Sequence, residues 1–282
     1  MKKIIKAQTS GFCMGVKTAI QKAVETGKSS KEPTHTYGPL IHNPQALQRL
    51  EKFNVHVAKD WRVLNSGNLI IRAHGIPSDE MEEIKKSNLK VVDATCPHVK
   101  VSQKKITEYA DKGYLIIITG DPNHPEMLSL KSFAPKHILI SSLKDAKKLE
   151  RQDKVMLISQ TTFSKTEYEN IAEHIKTISQ EAVVADSICL ATSQRQEEIR
   201  NLAKQADATV IVGGKESANT TRLAEIARTH CPNVFHIETA QELNPELMKS
   251  FETIAVSAGA STPDFITDEV IALLESLVKN SN

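Results

Sequence analysis

The chain has 282 residues, enough for two or three α/β units of roughly 100 to 150 residues each rather than one small core. Its 36 basic and 34 acidic residues leave a formal charge of +2 and aromatics are only 4%, so neither a phosphate-tracking groove nor base-stacking platforms are expected, and nucleic acid is not a predicted partner. Lys6, Gln8 and Ser10 interrupt the apolar stretch a secretory signal needs, and no apolar run reaches bilayer length; the expected location is cytoplasmic, with no membrane partner.

In chain order, a short apolar strand at Lys3-Ile-Ile-Lys-Ala leads through a glycine-containing turn to Cys13, and Leu69 to Arg72 forms a second apolar run before Ala-His-Gly. Val91-Val-Asp-Ala-Thr then leads to Cys96. Leu115 to Thr119 precedes Gly-Asp-Pro, and Val155 to Ser159 precedes Gln-Thr-Thr. Val183-Val-Ala-Asp-Ser-Ile leads to Cys189, Val210 to Val212 precedes Gly-Gly-Lys, and Ile254 to Ser257 precedes Ala-Gly-Ala. Helical patterns separate these runs. Near-continuous Val/Ile/Leu strands alternating with helices are covered on both faces, so the predicted class is α/β with mostly parallel sheets.

Cys13, Cys96 and Cys189 share one context: a strand just before, an amphipathic helical pattern just after, and nearly even spacing of 83 (13 to 96) and 93 (96 to 189) residues. This predicts three similar lobes, 1–95 with Cys13, 96–188 and 189–282. In parallel α/β sheets, ligands gather where strands end and helix N-termini point inward, so three such edges facing one axis would bring three thiolates together. Cys231, in Thr229-His-Cys-Pro, follows a helical pattern instead and reads as structural. Cysteines in a reducing compartment are more often metal ligands, nucleophiles or core residues than disulfides.

Titratable residues collect just past the strands: His42 in Gly38-Pro-Leu-Ile-His-Asn-Pro, His74 in Arg72-Ala-His-Gly-Ile-Pro, and His124 with Glu126 in Gly120-Asp-Pro-Asn-His-Pro-Glu. Neighbouring Gly and Pro fix tight loops, as a preorganised site requires, although each histidine taken singly reads as well as an exposed loop residue. His98, two residues after Cys96, has no second half with zinc-ligand spacing. Two later turns suit an anion. In one, Ser217, Asn219 and Thr220 follow Gly213-Gly214 at a helix start; in the other, Ser261 or Thr262 caps a helix with Pro263 at its first position. Each alone could be only a cap, and the first lacks the spacing of a nucleotide P-loop. The inventory is three thiolates, one carboxylic acid, three loop histidines and a neutral polar cradle for phosphate. An iron-sulfur cube with three protein thiolates keeps one iron open for substrate.

At these residues the chain resembles the 4-hydroxy-3-methylbut-2-enyl diphosphate reductase family. The resemblance runs through essentially the whole sequence: G-F-C-x-G-V at Cys13, I-H-N-P at His42, R-A-H-G at His74, D-A-T-C-P at Cys96, H-x-E at His124 and Glu126, S-Q-T-T ending in Thr162, C-x-A-T-x-x-R-Q after Cys189, and A-G-A-S-T-P-D at Ser261. It implies a pseudo-threefold arrangement of the lobes around one central 4Fe-4S cluster, with Cys13, Cys96 and Cys189 as ligands and an open iron that the substrate hydroxyl approaches. By the same resemblance His42, His74, Ser217, Asn219 and Ser261 hold a diphosphate, His124 and Thr161 lie close to the substrate, and Glu126 supplies protons. The family usually has a second Ser where this chain has Ala218, which leaves only a backbone N–H there and implies modestly weaker diphosphate binding. The implied reaction is reductive dehydroxylation of an allylic diphosphate to isopentenyl and dimethylallyl diphosphate. With no G-x-G-x-x-G unit for a nicotinamide donor, two electrons are expected from an external carrier such as a ferredoxin or flavodoxin. The alternatives are a three-cysteine 4Fe-4S lyase of the quinolinate synthase type and a non-catalytic iron-sulfur sensor or electron carrier.

Overall fold

A computed structural model describes residues 3–279. The first stretch carries β1 (Lys3–Lys6), α1 (Met14–Ser29), β2 (Thr34–Tyr37), α2 (Pro44–Glu51), β3 (Val55–Ala58), β4 (Asn68–Ile71), α3 (Ser78–Lys85) and β5 (Lys90–Asp93). Next come α4 (Pro97–Asp111), β6 (Leu115–Thr119), α5 (Pro125–Lys131), β7 (His137–Ile140), α6 (Leu143–Ala146), β8 (Gln152–Ser159), α7 (Lys165–Ile178) and β9 (Ser179–Val184). The last stretch holds α8 (Leu190–Ala203), β10 (Ala208–Val212), α9 (Ala218–Arg228), β11 (Val234–Ile237), α10 (Pro245–Lys249), β12 (Thr253–Ala258) and α11 (Asp264–Lys279). Cys13, Cys96 and Cys189 each immediately precede a helix, as their shared context predicts.

The strands form three four-stranded sheets, ordered β3-β2-β4-β5, β7-β6-β8-β9 and β11-β10-β12-β1, and every pairing is parallel. The order is the same each time. If the strands of a sheet are numbered one to four along this repeat, they lie 2-1-3-4, with the switch of direction between strands one and three.

The membership of β1 departs from the sequence expectation. Lys3–Lys6 falls within the expected 1–95 lobe, yet its strand closes the sheet of the last segment, pairing Ile4 with Ile254 and Ile5 with Ala255. Ile4 packs on the cluster of Val210, Ile254, Val256 and Val270. The repeat is therefore permuted along the chain: β2–β5 lead to Cys96, β6–β9 to Cys189, and β10–β12 with β1 to Cys13. Each cysteine follows the fourth strand of its own sheet.

The described residues divide into two contact units, one drawn from 3–16, 42–46 and 190–279, the other from Lys17–Ile41 and Leu47–Cys189. In the first, Val210 and Val212 of β10 pack toward Leu274 of α11, while the intervening Ile211 packs toward Ile199 of α8 and Leu223 of α9. In the second, Ile116, Ile118, Met156 and Ile158 face Val99 and Ile106 of α4, whereas Ile117, Val155 and Leu157 face Ile171 and Ile175 of α7. Apolar side chains on both faces explain the continuous hydrophobic runs. The four short strands that each carry a histidine, β2, β3, β7 and β11, are not among those read from sequence. No helix among the described residues is long and apolar enough to cross a membrane.

Candidate functional site

The three cysteines are anchored alike. The backbone N–H of Cys13 donates to the Ala260 carbonyl at 3.0 Å, that of Cys96 to Ala73 at 2.9 Å, and that of Cys189 to Thr161 at 3.1 Å. Each acceptor lies two residues past the third strand of the same sheet, since β12 ends at Ala258, β4 at Ile71 and β8 at Ser159. The backbone of the neighbouring loop thus fixes every cysteine at a carboxyl edge, and each is half-exposed and outside any disulfide. Cys231, by contrast, is buried in the α8–α9 cluster and points its thiol at the carbonyls of Ala206 (3.6 Å) and Asn233 (3.5 Å), the structural role its context predicts.

In the first unit a buried arginine shapes the Cys13 turn. Arg195 Nη2 donates to the Gly11 carbonyl at 2.6 Å, and Nη1 donates to the Ala191 carbonyl at 3.1 Å. Glu198, one turn on, accepts from the N–H groups of Gln8 (2.6 Å) and Thr9 (2.9 Å) and from the Thr9 hydroxyl. Gly11 sits at φ +89°, where a Cβ would meet Asp264 at 2.2 Å. At Cys13 itself, the Val16 N–H points to Sγ at 3.5 Å. Sequence reasoning missed Arg195 and Glu198 as positioning residues; the only available signal was the R-Q in the motif after Cys189.

The polar cradle lies at the switch point of the β10/β12 sheet. Ser217 caps α9 by accepting from Thr220 N–H at 3.4 Å, and its hydroxyl is 3.4 Å from that of Ser261 past β12. The His42 carbonyl accepts from Ser261 Oγ at 3.2 Å, so residues 42–46 close the same cradle. Within that segment, Asn43 caps α2 by accepting from Ala46 N–H at 2.8 Å. Asn219 is 5% exposed, and neither its amide nitrogen nor its amide oxygen has a partner among the described residues. A buried amide left unsatisfied costs roughly 1–3 kcal/mol, which is what a group waiting for a polar ligand looks like.

Glycines let the cradle close. A Cβ on Gly214 would lie 2.6 Å from the His42 carbonyl oxygen, and Gly213 adopts φ +144° with Thr262 Oγ1 2.3 Å from the Cβ position. Gly213→Ala is expected to destabilise the protein by about 2 kcal/mol through combined overpacking and backbone strain, measured as a lowered thermal midpoint.

The second unit carries the acid. Glu126 opens α5, which follows β6, and is 2% exposed. Its carboxyl accepts from the Thr161 N–H at 2.6 Å through Oε1 and lies 2.8 Å from Thr161 Oγ1 through Oε2. Burial pushes its pKa up to about 7, although both Thr161 hydrogen bonds pull the other way. His124 caps the same helix, its Nδ1 accepting from Glu126 N–H at 3.1 Å, which in the neutral ring leaves the proton on Nε2. The ring of His74 stands edge-on to it, centroids 5.2 Å apart. Arg72 Nε spans the His74 turn by donating to the Gly75 carbonyl at 3.2 Å. His98, on the exposed first turn of α4, takes no part in these contacts.

Thus the polar residues given a substrate or proton role follow strand one or three of a sheet: His42 and His74 follow β2 and β4, His124 with Glu126 and Thr161 follow β6 and β8, and Ser217 with Asn219 and Ser261 follow β10 and β12. These are the positions where open parallel sheets place ligands. Ala218 is the first residue of α9, beside the Ser217 cap.

The LytB protein family model matches residues 4–275. The chain is 41% identical over 281 residues to a 4-hydroxy-3-methylbut-2-enyl diphosphate reductase of Geotalea uraniireducens (strain Rf4), covering 99% of both chains. To the reductase of the same description from Aquifex aeolicus (strain VF5) it is 38% identical over 278 residues, covering 97% of this chain and 96% of that one. Among solved structures, one described as (E)-4-hydroxy-3-methyl-but-2-enyl diphosphate reductase, the terminal enzyme of the non-mevalonate pathway, aligns with a TM-score of 0.70 at 38% identity over 98% of this chain and 100% of that one. The E-1-hydroxy-2-methyl-but-2-enyl-4-diphosphate reductase from Plasmodium falciparum aligns with a TM-score of 0.91 at 28% identity over 96% and 87%. With the family model spanning nearly the whole sequence and relatives this similar over their full length, the chain belongs to the LytB family.

Proposed function

We propose that this chain is an iron-sulfur oxidoreductase that removes the allylic hydroxyl of (E)-4-hydroxy-3-methylbut-2-enyl diphosphate, yielding isopentenyl and dimethylallyl diphosphate at the end of the non-mevalonate pathway. The observation that carries the reading is the matched anchoring of Cys13, Cys96 and Cys189, each tied to the third-strand loop of its own sheet, half-exposed and outside any disulfide. Three such cysteines on rigid backbone fit a 4Fe-4S cluster with three protein ligands. Such a cluster supplies one-electron reduction and, at its open iron, Lewis acidity for the substrate oxygen.

The protein's own residues do the rest. Ser217, Asn219, Ser261, His42 and His74 are the residues proposed to hold the diphosphate, the unsatisfied Asn219 amide offering both a donor and an acceptor. The N-terminus of α9 adds N–H groups and a favourable dipole for the anion. With Ala218 in place of a hydroxyl, one hydrogen bond is forgone. Ala218→Ser is expected to lower KM for the diphosphate about threefold with kcat little changed, which steady-state kinetics would reveal.

Loss of the hydroxyl as water needs a proton, and the carbon chain needs another. Glu126 is built to hold one at neutral pH because its site is dry. The Thr161 N–H occupies Oε1 as a fixed donor, so the acidic proton resides on Oε2, against Thr161 Oγ1. That hydroxyl can accept the proton and pass its own onward. His124, with Nδ1 committed to the helix cap, presents Nε2–H as a hydrogen-bond donor.

Electrons would come from an external carrier of the ferredoxin or flavodoxin class. The relatives are named for reduction of a diphosphate, and none supports a quinolinate-synthase-type lyase or a non-catalytic sensor. The test is an anaerobic assay of the purified protein with this diphosphate and reduced methyl viologen. Formation of both five-carbon diphosphates is expected, and absence of turnover in cluster-loaded protein overturns the assignment.

A further inference from the structure

Beside Cys96, α3, β5 and α4 line a groove with a volume of about 570 Å³ that the reaction leaves without a task. Its walls follow the periods of their elements. Helix α4 contributes Lys100, Gln103, Lys104 and Thr107 at i, i+3, i+4 and i+7, while its Val99, Ser102 and Ile106 take the core side. Helix α3 contributes Met81 and Lys85 at i and i+4, and edge strand β5 contributes Val91 and Asp93 at i and i+2. Ile76 and Phe133 complete an apolar lining.

Among the lining residues the charge is one-sided. The groove has three lysines and one carboxylate, and Asp93 is engaged by Lys100 at 2.5 Å. Lys85 and Lys104 are exposed, each beside a second lysine along its helix, Lys86 and Lys105, with Glu108 one turn beyond Lys104. These ammonium groups stand on open rims, unlike the buried, converging donors of a small-anion pocket. Thr95 also lines the groove, one peptide bond from Cys96, so anything seated there comes within a few ångströms of that cysteine's backbone.

We propose that this groove is where the electron carrier docks, and that its occupant is a small protein with an acidic rim around its redox centre. The proposal rests on the reductase reading, which requires two electrons from outside the chain. Apolar contacts from the partly exposed Met81, Val91 and Phe133 hold the centre of the interface, and Lys85 and Lys104 steer and orient the acidic rim.

The test compares the anaerobic holoprotein with the double variant Lys85→Glu/Lys104→Glu and with a control reversal of two other exposed lysines, Lys144→Glu/Lys147→Glu. Reduced acidic ferredoxin and methyl viologen serve as alternative donors, and binding of oxidised ferredoxin is titrated separately. The groove variant is expected to raise KM and Kd for ferredoxin about tenfold or more and to flatten their salt dependence, while turnover with methyl viologen stays within about twofold. The control is expected to match the wild type. Unchanged ferredoxin affinity in the groove variant, or an equal loss in the control, overturns the proposal. If methyl viologen drives no turnover while the titration still separates the two variants, the reductase reading fails and the docking surface stands.

Discussion

Replacing Cys96 by serine is expected to strip the protein of bound iron and sulfide and to lower turnover by roughly a thousandfold or more, about 4 kcal/mol on the barrier. Thiolates, not hydroxyls, ligate iron in such clusters, and the Cys96 N–H bond to Ala73 holds the replacement at the same place on the same edge, so the variant changes the proposed ligand atom and little else. Cys13→Ser and Cys189→Ser should behave identically because their backbones are anchored in the same way. Cys231→Ala is the internal control: it forfeits two weak bonds to carbonyls and some packing, about 1–2 kcal/mol of stability, with full iron content. Iron and sulfide analysis with the visible absorption of anaerobic protein reads all four. Normal iron content and turnover in any of the three serine variants would remove that cysteine from the ligand set.

Glu126→Gln is expected to keep the cluster and diphosphate binding while lowering kcat by about 10²–10⁴, the usual worth of a positioned acid. Glutamine reproduces the hydrogen bonds of the protonated acid, its oxygen accepting from Thr161 N–H and its amide donating to Thr161 Oγ1, but it has no proton to give. Activity within twofold of wild type would eliminate Glu126 as the acid. The same substitution has a signature in stability. The folded pKa of Glu126 is raised to about 7 from 4.5, so its contribution is fully present below about pH 4.5 and is lost as pH rises through 7. Across that window the loss amounts to about 3 kcal/mol. The thermal midpoint of Glu126→Gln should therefore gain on that of the wild type between pH 5 and pH 8, and a constant difference would mean that the carboxyl is not held neutral.

Much of the site is legible in the primary structure because its determinants are local. Pro125 beside His124 and Pro97 after Cys96 each fix a φ angle, Gly213-Gly214 before Ser217 permit the turn that precedes a helix, and the helix starts they imply are present. The Val/Ile/Leu runs likewise announce strands covered on both faces. Strands β2, β3, β7 and β11 escape such reading, since Thr34-His-Thr-Tyr or Val55-His-Val-Ala becomes a strand only because neighbouring backbone completes the ladder.

The pairing of Thr161 with Glu126 spans 35 residues, and that of Arg195 with Gly11 spans 184. No local pattern encodes either. Side-chain chemistry and its placement after strands, set by short-range sterics and hydrophobic periodicity, were determined by the sequence itself: the α/β class, three equivalent cysteines, and the polar residues of the loops. Tertiary structure alone decided that β1 completes the sheet of β10–β12, that each cysteine hangs from the third-strand loop of its own sheet, and that burial raises the Glu126 pKa. Those depend on which distant segments exclude water together, a property of the whole packing and not of any window along the chain.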